Sequence, residues 1–276
     1  MLFTDSVFRP LDISKSYWNY VFYELADSRT KNLFLVSSPA TILLILGSYL
    51  YFVLKWGPEF MKNRKPYELK KLLMVYNVCQ IIVNVYIFLL GVKVSYTVNN
   101  FFCMPIDYTN SELAQLFIYC FHIYFINKVT DLLDTVFFVL RKKSNQISFL
   151  HLWHHCLMVI VTWMAVKYIP GGQLGIVGLV NSFVHIILYS YYFLAALGPS
   201  FQKYLWWKKY LTRFQLIQFC LIFLHSSLIF VTDCDYPKWA VTICLPNAIF
   251  FYYLFYDFYK TSYTPQSNHR NGQKIN

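Results

Sequence analysis

Read as hydrophobic and polar positions, the chain is a series of long apolar runs separated by short polar ones. Runs near the roughly 20 residues needed to cross a bilayer fall at 37–56, 72–93, 113–140, 149–166, 173–196, 213–231 and 239–258. Seven membrane spans are therefore predicted, and the third is long enough to tilt or to project beyond the bilayer. Residues 1–36 are mixed and polar, with Asp5, Asp12, Glu24 and Asp27, and lack the form of a short cleavable signal. No internal repeat, low-complexity tract or soluble second domain interrupts the pattern. The expected fold class is an all-α membrane protein of seven transmembrane helices. One membrane domain covers 37–258, between a non-cytosolic segment 1–36 and a cytosolic tail 259–276.

Composition supports this reading. Of 276 residues, 57% are hydrophobic and 13% charged, with mean hydropathy +0.42. A soluble domain of this length would need more polar surface. The aromatic share of 21% suits interfacial belts and a large buried interior.

Charge sets the expected orientation. One side holds Lys55, Lys62, Arg64, Lys65, Lys70, Lys71, Arg141, Lys142, Lys143, Lys203, Lys208, Lys209, Arg213, Lys260, Arg270 and Lys274. The other holds Arg9, Lys15, Arg29, Lys31, Lys93, Lys167 and Lys238, while Lys128 lies within a span. The excess of positive charge puts the C-terminus in the cytosol and the N-terminus outside it. On such a protein the net charge of +11 reflects topology and anionic lipid, not nucleic acid. The same basic side would attract the phosphates of a CoA ester, above all through Arg141, Lys142, Lys143, Lys208 and Lys209.

Polar groups inside spans are costly and normally face the protein interior. Here they gather in four spans, each cluster at helical spacing. The first is Lys128, Asp131, Asp134 and Thr135, whose charged members stand one turn apart and can pair. The structural alternative is a buried ion pair that fixes helix packing. The second is His151, His154 and His155, which share one helical face at the opening of the fourth span. A lone membrane histidine is usually a satisfied core residue; three on one stripe are hard to explain that way.

The third cluster is Asn181, His185, Tyr189 and Tyr192, with His185 roughly 16 Å deep at 1.5 Å per residue. Its tyrosines would also suit an interfacial belt. The fourth is Thr212, Gln215 and Gln218, whose amides also suit ordinary bonds between helices. All four fall in the cytosolic halves of their spans, which is how a bundle lines a pocket open to the cytosol with a dry apolar interior beyond. An amphiphile with a charged head and a long alkyl tail fits that shape. His122 and His225, without companions at matching spacing, read as structural, and His269 in the tail carries no argument.

Cys79, Cys120, Cys156, Cys220 and Cys244 fall within spans and read as small apolar residues. Cys103 and Cys234 lie in connections on the non-cytosolic side. They are either a disulfide tying the second connection to the sixth, as an oxidising compartment would allow, or two free thiols.

The clustered residues resemble the very-long-chain fatty acid elongase (ELO) family, whose members are 3-ketoacyl-CoA synthases. The match runs from Lys128 to Thr135, through the histidine box His151-Leu-Trp-His154-His155 and Asn181 with His185 and its tyrosines, to Thr212, Gln215 and Gln218. Gly57-Pro58, Arg64-Lys65-Pro66-Tyr67 and Trp207-Lys208-Lys209-Tyr210 add to it, in the family's order. Two positions depart from the pattern: Asp131 stands where Glu is usual, and Leu188 where Met is common.

The resemblance implies a seven-helix protein of the endoplasmic reticulum membrane, with six helices forming a barrel around an acyl-binding chamber. Its reaction would join acyl-CoA and malonyl-CoA into 3-ketoacyl-CoA, CO2 and CoA. The expected substrates are long-chain acyl-CoA and malonyl-CoA, with no metal or organic cofactor. Membrane lipid, other enzymes of the elongation cycle and a second copy of the chain are candidate partners. Lys274 stands third from the end without the companion a dilysine retrieval signal needs, so the compartment rests on the resemblance.

On this reading His154 accepts the acyl group, since an imidazole can act as a nucleophile and titrates near neutral pH. Cys156 is turned roughly 100° from His155 on the helix and is not expected to serve. His151 and His155 would orient His154 or move protons, and His185 would face it from the next span. Asn181, Gln215 and Gln218 would donate to developing oxyanions. Lys128, Asp131, Asp134, Tyr189 and Tyr192 would hold the polar network together.

The strongest alternative is a histidine-box, metal-dependent desaturase or hydroxylase, but two irons call for around eight histidine ligands. A zinc site of His185 with two of the box histidines is arithmetically possible, though no further HxxH-type pair supports it. A seven-helix receptor or transporter would need no such crowding at the cytosolic mouth, and its broken helices are absent from the central spans.

Overall fold

A computed structural model describes residues 16–98 and 101–263. Asp5, Arg9, Asp12, Lys15, His269, Arg270 and Lys274 lie outside the described residues. Within them the chain is helical, with no strand. Its main helices are α1 (Pro39–Met61), α2 (Lys70–Thr97), α3 (Glu112–Thr130), α4 (Leu133–Leu140), α5 (Phe149–Tyr168), α6 (Gly175–Leu197), α7 (Lys208–Ser227) and α8 (Lys238–Tyr263). Serines open several of them. Ser38, Ser111 and Ser148 accept from Ala40, Ala114 and His151 amides, satisfying N–H groups that have no partner within the helix.

Among the described residues six helices are long and apolar enough to cross a membrane: α1, α2, α5, α6, α7 and α8, two of them with an adjoining 3₁₀ turn. Outward-facing Leu43, Leu44, Ile82, Leu89, Leu224 and Ile249 are exposed, as lipid contact requires. This is an all-α, multi-pass membrane protein. The predicted third span behaves differently. It breaks at Asp131–Leu132 into α3 and α4, and α3 falls outside the set of six. The cause is its own composition: Gln115, His122, Asn127 and Lys128 interrupt the apolar run. Asp134 then sits in the first turn of α4, where the helix dipole favours negative charge.

The packing order makes a ring. α2 lies along α6, α7 along α8, α3 along α5, α6 along α7, and α2 along α3. The ring closes where Trp153 and His154 of α5 meet Phe250, Phe251 and Phe255 of α8. α1 stays outside and packs on α5 and on α4. Gly57 permits that approach, because a Cβ there would stand 2.6 Å from Phe52 O and 2.8 Å from Val139 Cγ1.

The ring has two unlike ends. The near end carries α4, the start of α5 and the exposed residues Lys142, Lys143, Lys208 and Lys209, with Arg141 half-buried. At the far end a disulfide joins Cys103 to Cys234, with Cα atoms 5.4 Å apart. There Lys167 is buried, and its Nζ donates to Val36 O at 3.2 Å and Ser37 O at 3.0 Å. Arg29 pairs with Asp27 and donates to Asp107 O, tying the segment before α1 to the connection before α3.

Candidate active site

Six helices, α2, α3, α5, α6, α7 and α8, enclose a cavity of about 190 Å³. Its wall is mostly apolar, with Phe117, Leu157, Met158, Val161, Ile176 and Ile222 among its residues. Thr162 and Asn247 also reach it, but each donates to a carbonyl of its own helix. The polar groups left facing the near part of the cavity are His154, Asn181 and Gln218.

Both amides have capacity in hand. Asn181 Oδ1 accepts from Tyr124 O–H at 2.9 Å, leaving its N–H₂ group unengaged among the described residues. Gln218 is 4% exposed, and its Oε1 has no partner among them. An unpaired buried carbonyl oxygen costs about 1–3 kcal/mol, and Gln80 Oε1 and Asn127 Oδ1 are left in the same state.

Behind Asn181 lies the ionic cluster. Lys128 and Asp131 are 2% and 1% exposed, and Lys128 Nζ donates to Asp131 Oδ2 at 2.8 Å. The same Nζ stands 3.5 Å from His185 Nδ1. His185 Nδ1 also stands 3.7 Å from Asp131 Oδ2. Tyr189 O–H bridges the carboxylates, 2.9 Å from Asp131 Oδ1 and 2.9 Å from Asp134 Oδ2. Tyr192 stacks edge-on against Tyr189. A buried pair of this kind is paired and hydrogen-bonded on every side, the condition under which buried charge is tolerated.

The three box histidines do not all face the cavity, as a shared stripe would have them. His154 lines it, against Phe251 of α8. His151 turns toward α4, its Nε2 2.8 Å from Thr135 Oγ1. Tyr49 of α1 donates its own O–H to Thr135 at 2.8 Å, so the Thr135 hydroxyl joins α1 to the His151 ring. His155 lies between them, its ring 4.2 Å from that of His151 and 5.4 Å from that of His154. The reason is angular: positions 151, 154 and 155 spread over roughly 100° of a helix of 3.6 residues per turn.

His185 is buried beside Lys128 and does not line the cavity. Gln215 is half-buried and off the cavity wall, whereas Gln218, one turn on, reaches it. Thr212 is buried near the start of α7. Among the described residues no group of three or more His, Cys, Asp or Glu side chains could hold a metal ion.

Sequence reasoning missed the contribution of α2. Gln80 Nε2 donates to Asp131 Oδ1 at 3.2 Å and to Tyr76 O–H at 3.0 Å, and Asn84 accepts from Asn127 at 3.3 Å. Tyr76, Gln80 and Asn84 recur every four residues, so the signal was present as a polar stripe inside an apolar run.

A six-helix ring around an apolar cavity, with a histidine, two amides and a buried ionic network at one end, defines a helical membrane protein with an enclosed apolar chamber and a polar end. Residues 34–271 match the ELO family, described as the GNS1/SUR4 family, and the chain belongs to that family. It is 42% identical over 253 residues to very long chain fatty acid elongase 4 of Homo sapiens, covering 91% of this chain and 80% of that one. It is 43% identical over 251 residues to very long chain fatty acid elongase 7 of Drosophila melanogaster, covering 89% and 75%. With very long chain fatty acid elongase 1 of Mus musculus it shares 41% over 259 residues, covering 90% and 91%.

Proposed function

We propose that this chain is the condensing enzyme of fatty acid elongation. A long-chain acyl-CoA, malonyl-CoA and one proton give 3-ketoacyl-CoA, CO2 and CoA. His154 attacks the acyl thioester, the C–S bond breaks, and the CoA thiolate leaves and takes up the proton. The acyl group then rests on the imidazole with its tail in the apolar cavity. Malonyl-CoA loses CO2, and the resulting enolate attacks the acyl carbon, forming the new C–C bond and freeing the imidazole. No metal or organic cofactor takes part.

The observation that carries this reading is His154 on the wall of an otherwise apolar cavity, beside the Asn181 and Gln218 amides. Those amides would donate to oxyanions as they form, where preorganised donors are worth most. Lys128, Asp131, Asp134 and Tyr189 hold His185 and the surrounding helices in register, while His151 and His155 orient His154. Arg141, Lys142, Lys143, Lys208 and Lys209 attract the CoA phosphates from the near end. That end faces the cytosol, the far end the lumen of the endoplasmic reticulum, where the Cys103–Cys234 bond would form.

Acyl-CoA alone is incubated with the full-length protein, and its peptides are mapped by mass spectrometry. An acyl adduct on His154, absent from His154→Ala and discharged by malonyl-CoA with release of CO2, is the expected result. Turnover with His154 unmodified would overturn the covalent route.

A further inference from the structure

Helix α1 lies outside the ring, yet one of its side chains reaches the histidine box. Tyr49 is buried in an apolar cluster with Ile42, Leu46 and Val53 of its own helix and Val159 and Trp163 of α5. A phenylalanine would satisfy that packing. A tyrosine buried there must find a partner for its hydroxyl, and the partner is the fully buried Thr135. Threonines inside helices commonly turn their hydroxyl back to a carbonyl three or four residues earlier, as Thr97, Thr130 and Thr162 do here. Thr135 makes no such bond among the described residues. Its oxygen lies 2.8 Å from Tyr49 Oη and 2.8 Å from His151 Nε2. Among the described residues, this is the one hydrogen bond made by any ring nitrogen of the box.

We infer that Tyr49 is a positioning residue of the condensing reaction: through Thr135 it fixes the His151 ring, and through His155 the direction in which His154 faces the cavity. This rests on the condensing function proposed above. The terminal torsion of a histidine has broad wells, so a file of imidazoles needs an anchor to hold one direction. The rings stand in such a file, His151 4.2 Å from His155 and His155 5.4 Å from His154. Thr135 anchors the His151 end, and Tyr49 holds Thr135 from the other side. Neither Tyr49, Thr135 nor His151 lines the cavity, so their effect on the reaction passes through His154. It falls on the rate of the chemical step and not on binding. A helix that builds no wall of the chamber thereby still acts on its reactive group.

Tyr49→Phe keeps the ring in its cluster and deletes the hydroxyl. With the full-length protein in nanodiscs, its kcat for malonyl-CoA incorporation should fall about three- to tenfold, the range one neutral hydrogen bond supports. KM for acyl-CoA and Tm should change little. Thr135→Ser should keep most of the wild-type rate and Thr135→Val should lose it, and adding Tyr49→Phe to Thr135→Val should slow it no further. Leu46→Ala, one turn earlier on α1, opens a cavity in the same cluster and should lower Tm while keeping kcat. In protein carrying ¹⁵N-labelled histidine, the His151 ring signal, identified by its loss in His151→Ala, should shift in Tyr49→Phe and stay in Leu46→Ala. Wild-type kcat or an unmoved His151 signal in Tyr49→Phe would overturn the positioning role and leave the condensing function standing. Equal falls in kcat for Tyr49→Phe and Leu46→Ala would do the same, reducing Tyr49 to packing. Absence of malonyl-CoA-dependent product from wild type would overturn the condensing function itself.

Discussion

Lys128 and Lys167 are each 2% exposed, one toward the near end of the helix ring and one at the far end. Lys128 meets a carboxylate at 2.8 Å and an imidazole at 3.5 Å, in a network that continues through Tyr189 to a second carboxylate. Lys167 meets two carbonyls, of Val36 and Ser37, and lies over the rings of Trp163 and Tyr23. The first arrangement couples several ionisable groups, so removing one changes the charge state of the rest. The second uses a cation to pin two carbonyls and the segment before α1. Burial alone therefore does not distinguish a working charge from a clamp; the partners do.

Substitution separates the two lysine environments. Asp131→Asn leaves Lys128 uncompensated in a dry site, and the expected loss is about 3–5 kcal/mol of stability together with activity. Lys167→Met removes the charge along with its need for a partner and takes the donor from the Ser37 carbonyl, while Val36 O still accepts from Trp163 Nε1 at 3.2 Å. Its expected loss is about 1–3 kcal/mol, with kcat retained. Thermal unfolding in detergent beside the malonyl-CoA assay checks both, and equal effects on activity would erase the contrast.

A smaller effect sharpens the near end. Tyr189→Phe keeps the ring against Tyr76 and Tyr192 and deletes the hydroxyl between Asp131 and Asp134. A hydrogen bond to a charged group contributes about 1.5–3 kcal/mol, so activity should drop about tenfold or more while the helices still pack. Full activity in this variant would show that the bridge is dispensable.

The smallest effect belongs to the far end. Hydrogen bonds from Ser111 and Thr109 hold the Asp107 carboxyl below the usual carboxylate range. A depressed folded pKa stabilises fully above the ordinary aspartate value, and that stability is lost as pH falls through the folded value. Asp107→Asn should therefore lower Tm slightly near neutral pH, with the gap to wild type closing in acid. A gap that widened in acid would contradict this assignment.

Much of this site was legible in the sequence because periodicity fixes which residues share a helical face. Lys128, Asp131, Asp134, Asn181, His185 and Gln218 were marked by their cost inside apolar runs, and the family resemblance gave that cost a chemistry. Cys103 and Cys234 were candidates from their side of the membrane. The Tyr76, Gln80 and Asn84 stripe was legible too, but uncharged residues within an otherwise apolar span are easily taken for ordinary lipid-phase packing.

Sequence by itself determined that this is a multi-pass helical protein of the ELO family with polar clusters at one end of its spans, since hydropathy and spacing are local properties. Tertiary structure alone decided the rotation of each helix against its neighbours, which depends on packing. That rotation aims His154 into the cavity and His151 at Thr135, and it chooses Gln218 over Gln215. It also decided the break at Asp131–Leu132 and the reach of Tyr49 to Thr135. Each depends on partners from distant parts of the chain, which no periodicity within a single segment encodes.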